Sequence, residues 1–362
     1  MEQLKQIQGI RTLAILGIFI CHTKCYLADN IGFWDDVLAQ LGATGVFTFF
    51  MISGFLFSYK NKPICIDQHT NPVKLAWKKV NKLYALYLFT FFIAFIAKIT
   101  PPTNERWVTM VVASVFNLTL TQSFVPHIGI VNSFNGPAWF LSALFGIWII
   151  NYNCPQFVNF FIKERRVFHL VLLAMLILVT QTFVLKGISI MPLDNLPFKK
   201  DSYYTWLTYF NPIMCYSEFL MGTLLGKMCV KNQMPKQAAN IIQILLLCFT
   251  CFYLWYRPLF SLLHVIPLVV VTECIVFVGI LSTMSEYSIG KRLLSNRLMV
   301  FWGNISGYFF LIHGVVNFSI RAFCESYFGK PFLFFLSLCV SLILSVGTLL
   351  IYKKHLVTLK FV

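Results

Sequence analysis

Two ionisable side chains sit inside the first apolar run of the chain, GIRTLAILGIFICH, where ten residues separate Arg11 from His22. On an α-helix that spacing amounts to three turns plus about 20°, so both side chains share a face. A rise of about 1.5 Å per residue sets His22 roughly 16 Å beyond Arg11 along the axis. Ionisable groups are costly to keep in an apolar span, which makes each a functional candidate. A guanidinium binds phosphate or carboxylate through its planar fork, and a neutral imidazole can take the proton of a hydroxyl nucleophile. The pair suits a reaction handed along the helix, from an anionic group at one end to a hydroxyl at the other. The plainer alternatives are a topogenic charge at Arg11 and a hydrogen-bonding residue at His22.

Other intramembrane groups could assist. Glu218 and Glu273 fall in apolar segments, and either carboxylate could orient His22 and stabilise its protonated form. Each could equally pair with a lysine or a backbone group. His313 could contact substrate or satisfy packing. Trp139, Tyr203, Tyr204 and Trp206 could stack on sugar rings, although aromatic belts at membrane interfaces account for such residues more simply. Cys248 and Cys251 form a C-x-x-C in the middle of the apolar run IIQILLLCFTCFYLWY, with no second ligand pair close by. They read as small apolar residues on a helix, and no metal is expected.

The elements that must position these groups are apolar helices. Hydrophobic residues make up 58% of the 362 and charged residues 12%, about half the charged share of a soluble chain. Ten runs, near 10–28, 42–59, 81–99, 137–153, 167–186, 207–227, 239–256, 261–283, 299–319 and 332–352, are each long enough to cross a hydrocarbon core of about 30 Å. The formal charge of +16 is spread in short clusters between those runs rather than in an arm or groove. That is a positive-inside bias, not a nucleic-acid footprint, so no nucleic acid is expected as a partner. The first run lacks a small-residue cleavage site and is expected to be retained.

One further segment, 107–124 (WVTMVVASVFNLTLTQSF), is apolar but rich in hydroxyl and amide side chains. If it crossed fully, every later loop would change sides and Lys163, Arg165 and Arg166 would fall outside. The charge distribution therefore favours a re-entrant 107–124. The expected fold is an all-α integral membrane protein, one domain over 1–362, with about ten transmembrane helices, a re-entrant segment and both termini in the cytoplasm.

A resemblance enters with the motifs in order. GIRTLAILGIFICH resembles the first-helix signature of membrane acyltransferase family 3, and GVFTFFMISGF (Gly45 to Phe55) its second-helix segment. WKKVNKLYALY (Trp77 to Tyr87) is similar to the basic motif opening the third helix, and NGPAWFLSALF (Asn135 to Phe145) to the fifth-segment motif. YSEFLMGTLLG (Tyr216 to Gly226) resembles a later helix, and WGNISGYFFLIHGVV (Trp302 to Val316) the penultimate-helix pattern ending in histidine. Two places depart from the common pattern. Lys78, Lys79 and Lys82 stand where arginines are usual, and a lysine binds phosphate as a point charge without the planar fork. Trp139-Phe140-Leu141 replaces a tryptophan-serine-leucine, and Ser142 is not promoted to fill the missing serine.

The resemblance implies transfer of an acyl group, usually acetyl, from cytoplasmic acetyl-CoA to a carbohydrate hydroxyl of a surface glycan or lipid-linked saccharide. It implies a bacterial plasma membrane (inner membrane) setting among membrane lipids. Arg11, Lys79 and Lys82 would hold the donor's phosphates. His22 would act as general base or carry the acyl group itself. Asn135, Trp139 and His313 would meet the acceptor. The alternative from another class is a proton-coupled secondary transporter or flippase, for which ten spans with buried His and Glu would also serve. Such carriers often show paired repeats with broken helices, and the sequence has no clear repeat.

Overall fold

The computed structural model describes residues 4–27, 33–60, 63–64, 70–98, 104–163, 165–193, 197–231, 234–256 and 268–358. Among the described residues all regular structure is helical. In chain order the helices are α1 (Lys5–His22), α2 (Phe33–Lys60), α3 (Pro72–Lys98), α4 (Asn104–Leu118), α5 (Ile128–Val131), α6 (Trp139–Asn153), α7 (Pro155–Ile162) and α8 (Val167–Ser189). They continue with α9 (Lys200–Thr205), α10 (Cys215–Lys231), α11 (Lys236–Trp255), α12 (Leu268–Thr283), α13 (Ile289–Leu294), α14 (Arg297–Cys324) and α15 (Lys330–Thr358).

Among the described residues, seven helical stretches are long and apolar enough to cross a membrane: Trp34–Tyr59, Pro72–Ala97, Val167–Ser189, Lys200–Val230, Lys236–Trp255, Arg297–Cys324 and Lys330–Tyr352. Each coincides with one of the expected spans. The other three expected runs form the shorter helices α1, α6 and α12. Part of 261–283 lies outside the described residues. The segment 107–124 forms all but the first three residues of α4 and the turn after it. At 15 residues, α4 is about 22 Å long, short of a hydrocarbon core. It ends where Leu120 takes a positive φ of 54° and the chain doubles back through a 3₁₀ turn at Gln122–Phe124.

Burial sorts the helices into a centre and a ring. In the most apolar window of Trp34–Tyr59, 72% of residues are buried, against 11% in Lys236–Trp255. The outer helices α8, α11 and α15 present Phe168, Leu176, Phe183, Leu245, Phe335 and Ile343 outward, the surface a lipid solvent demands.

At the centre, glycines let backbones touch. A Cβ on Gly54 would collide with the Phe219 carbonyl, and one on Gly222 with the Met51 carbonyl, so α2 and α10 meet along bare backbone. A Cβ on Gly45 would strike the Ala14 carbonyl, and one on Gly303 the Gln8 carbonyl. Helix α1 is thereby held between α2 and α14, with its register along both fixed by close contact.

Candidate active site

The clamped helix α1 carries both lead residues. Arg11 lies near its middle and His22 is its last residue. The helix end leaves carbonyls without intrahelical donors, and the Asn317 side-chain amide donates to the His22 carbonyl at 2.7 Å. Thr23 donates its hydroxyl to Phe19 O at 2.8 Å, and Tyr26 donates to Asn317 O at 3.3 Å. Three bonds thus tie down the turn that holds His22, two of them to or from Asn317 on α14.

His313, one turn before Asn317 on α14, meets His22 directly. His22 Nδ1 lies 2.8 Å from His313 Nε2, and His313 Nδ1 lies 3.0 Å from the Phe309 carbonyl. The two rings are nearly parallel, at 8°. A carbonyl oxygen only accepts, so the network assigns the His313 proton to Nδ1. Neutral His313 is then an acceptor at Nε2, and His22 must donate from Nδ1. Neutral His22 is left with a lone pair on Nε2, which has no protein partner among the described residues. His313 is wholly buried, wedged among Phe19, Phe309 and Phe310, so its ring cannot turn away. A backbone carbonyl, a buried histidine and an exposed histidine form a line that presents a base.

The His22 ring is exposed to a cavity of about 490 Å³. Trp139, Tyr209, Phe210 and Phe310 supply aromatic wall, and Asn132, Asn317 and Arg321 supply polar groups. Of the residues expected to meet an acceptor, Trp139 lines this cavity. His313 stands behind His22 instead. Asn135 braces the scaffold, donating to Thr90 Oγ1 at 3.0 Å and Leu311 O at 2.8 Å. Sequence reading did not single out Asn132, Tyr209, Asn317 or Arg321. Only Arg321, a cation at the far end of α14, carried a visible signal there.

Arg11 opens onto a second cavity, of about 200 Å³, with mostly aliphatic walls including Ile52, Leu83 and Leu144. Its guanidinium donates to Gln8 Oε1 at 3.3 Å and lies 6.0 Å from the centre of the Phe49 ring. No acidic side chain partners it among the described residues. An enclosed cation without a counter-charge is expensive, and an anionic ligand would relieve it. Lys79 and Lys82 are exposed on α3 and do not line this cavity. Lys79 packs over the Trp148 ring at 4.7 Å, one turn before Leu83, which does line it.

Glu218 and Glu273 are brought together, but not with His22. Their side chains lie within hydrogen-bonding reach of each other. Gln181 donates to Glu273 and to Ser217. Neither carboxylate lines either cavity. Ser142 is buried and structural, bonded to Ser123 and to the Leu120 carbonyl, and it pins the loop after α4 to α6.

The model of a family described as an acyltransferase domain matches residues 4–351. Acyltransferase MdmB of Streptomyces mycarofaciens is 30% identical over 156 residues, which is 41% of this chain and 38% of that protein. The match therefore spans about two fifths of the relative's length. No solved structure matches the chain. With the family model running through both cavities and every helix that builds them, the chain belongs to the membrane acyltransferase 3 family.

Proposed function

We propose that the protein transfers an acetyl or other short acyl group from cytoplasmic acetyl-CoA to a carbohydrate hydroxyl of a surface glycan or lipid-linked precursor at the outer face. The observation that carries this reading is the open Nε2 of His22, set by the line from the Phe309 carbonyl through His313. The unpaired guanidinium of Arg11 supports the donor side: it fits an anionic group of the coenzyme. Lys79 and Lys82 would meet the donor's outer phosphates as point charges.

In the reaction, His22 Nε2 takes the proton of the acceptor hydroxyl as its oxygen attacks the thioester carbon. The carbon–sulfur bond breaks, and the proton on Nε2 passes to the leaving thiolate to give free thiol. His313 accepts from His22 Nδ1–H throughout and steadies the imidazolium, the part a carboxylate takes in hydrolases. Arg11 and His22 are roughly 16 Å apart along the helix, a span suited to a donor whose charged end and reactive end are far apart. Trp139 and Tyr209 offer aromatic faces for a sugar ring, and Asn132 and Asn317 offer hydrogen bonds. A proton-coupled carrier would instead place Glu218 and Glu273 on a solute path, and they line neither cavity.

The test replaces His22 by alanine, confirms membrane insertion, and measures the acetyl content of the host's surface glycans. Loss of acetyl is the expected result. Unchanged acetylation by a correctly inserted variant would remove His22 from the chemistry.

A further inference from the structure

The two cavities have one wall residue in common. Phe310 lines the cavity that holds His22 and also the cavity that holds Arg11. Its ring sits 5.3 Å from Phe140 and 6.1 Å from Phe49, and those two are 6.1 Å from each other. All three meet at steep angles, so their edges and faces interlock. Phe49 is also the ring over which Arg11 stands, and Phe310 lies 6.1 Å from His313. The aromatic trio thus stands between Arg11 and His22: all three rings line the Arg11 cavity, and Phe310 alone also walls the His22 cavity.

We propose that Phe310 is the residue that sets the size of the acyl group transferred, an inference that rests on the acyltransferase reading above. A thioester arriving from the Arg11 side must bring its acyl carbon past this ring to reach His22. Phe310 and Phe49 are buried, at 5% and 8% exposure, and packed cores resist added volume. A two-carbon group asks for a small displacement of the ring. Every further methylene asks for more, and a close-fitting wall discriminates by roughly tenfold or more per methylene. If the trio served packing alone, shortening Phe310 would slow every donor alike. If it sets size, the ratio between donors moves.

Inside-out vesicles from host cells expressing the full chain, which turn the proposed donor side outward, are supplied with radiolabelled acetyl-, butyryl- or hexanoyl-CoA and with the host's glycan fraction as acceptor. Label in the glycan fraction is the readout, with His22→Ala as background. Phe310→Ala is expected to raise the hexanoyl-to-acetyl ratio at least about tenfold. Phe310→Leu should move it less in the same direction, and Phe310→Trp should lower it. The Leu and Trp variants carry the test should the alanine chain fail to insert. A ratio that stays flat from Leu through Phe to Trp overturns the proposal, as does a uniform loss for all donors in inserted variants. Wild type giving no label above the His22→Ala background from any donor would instead reject the proposed transfer from acyl-CoA to glycan, and the size inference with it.

Discussion

At the scale of single residues, the proposed site depends on which nitrogen of His22 is free. The Phe309 carbonyl decides this at one remove, because it can only accept from His313. Replacing His313 by leucine removes the acceptor for His22 Nδ1 and lets the ring rotate or change tautomer. Turnover should fall by on the order of 10²-fold, within the range for disturbed general base catalysis. His313→Gln keeps an oxygen acceptor near the same place and should recover part of that loss. Equal activity of Leu and Gln variants, measured as label transferred per inserted protein, would show that His313 only packs. Arg11 offers a separate test. Arg11→Lys keeps the charge and loses the fork, so donor affinity should drop about tenfold or more while insertion stays normal. An unchanged donor KM would leave Arg11 a purely topogenic role.

At the scale of elements, the proposed chemistry is only as well placed as α1. Among the described residues no salt bridge holds that helix: the ion pair nearest its end, Lys24 with Asp35 at 2.7 Å, is part-exposed and worth little. It is held by backbone contact at Gly45 and Gly303, and α2 is itself seated on α10 through Gly54 and Gly222. Gly222→Val would force the two helices apart. The expected cost is at least about 1–3 kcal/mol, read as a lower unfolding temperature in detergent together with lost transfer. Gly347 is the control, since a Cβ there meets nothing within 4 Å. Gly347→Ala should be neutral or slightly stabilising, by up to about 1 kcal/mol.

At the scale of the whole molecule, the helices form an apolar ring around a centre where two cavities meet at Phe310. The proposed function requires that the ends of α1 face opposite sides of the membrane. A reporter fused after Val362 and one inserted in the 163–166 loop should both report the cytoplasm, where the lysine and arginine clusters are expected to lie. Signals from the outer side at both positions would reverse the proposed donor and acceptor sides while leaving the histidine pair intact, and a signal from only one would change the number of crossings between them.

Several of these features were legible in the sequence. Span positions follow from local hydropathy, and the shared face of Arg11 and His22 follows from helical pitch, so neither needs a partner to be known. Seven of the expected spans are long apolar helices for that reason. The pairing of side chains across helices is different. Both Glu273 and His313 are buried polar groups on apolar helices, and nothing local says which one reaches His22. The packing of α14 against α1 decided for His313, while α12 and α10 brought Glu273 to Glu218 instead. Phe310 is one of 38 phenylalanines, and only its place between two cavities marks it out. By itself the sequence determined the helices and the face on which each residue lies. The tertiary structure alone decided which faces meet, because helix-to-helix register is set by long-range contact between bare backbones.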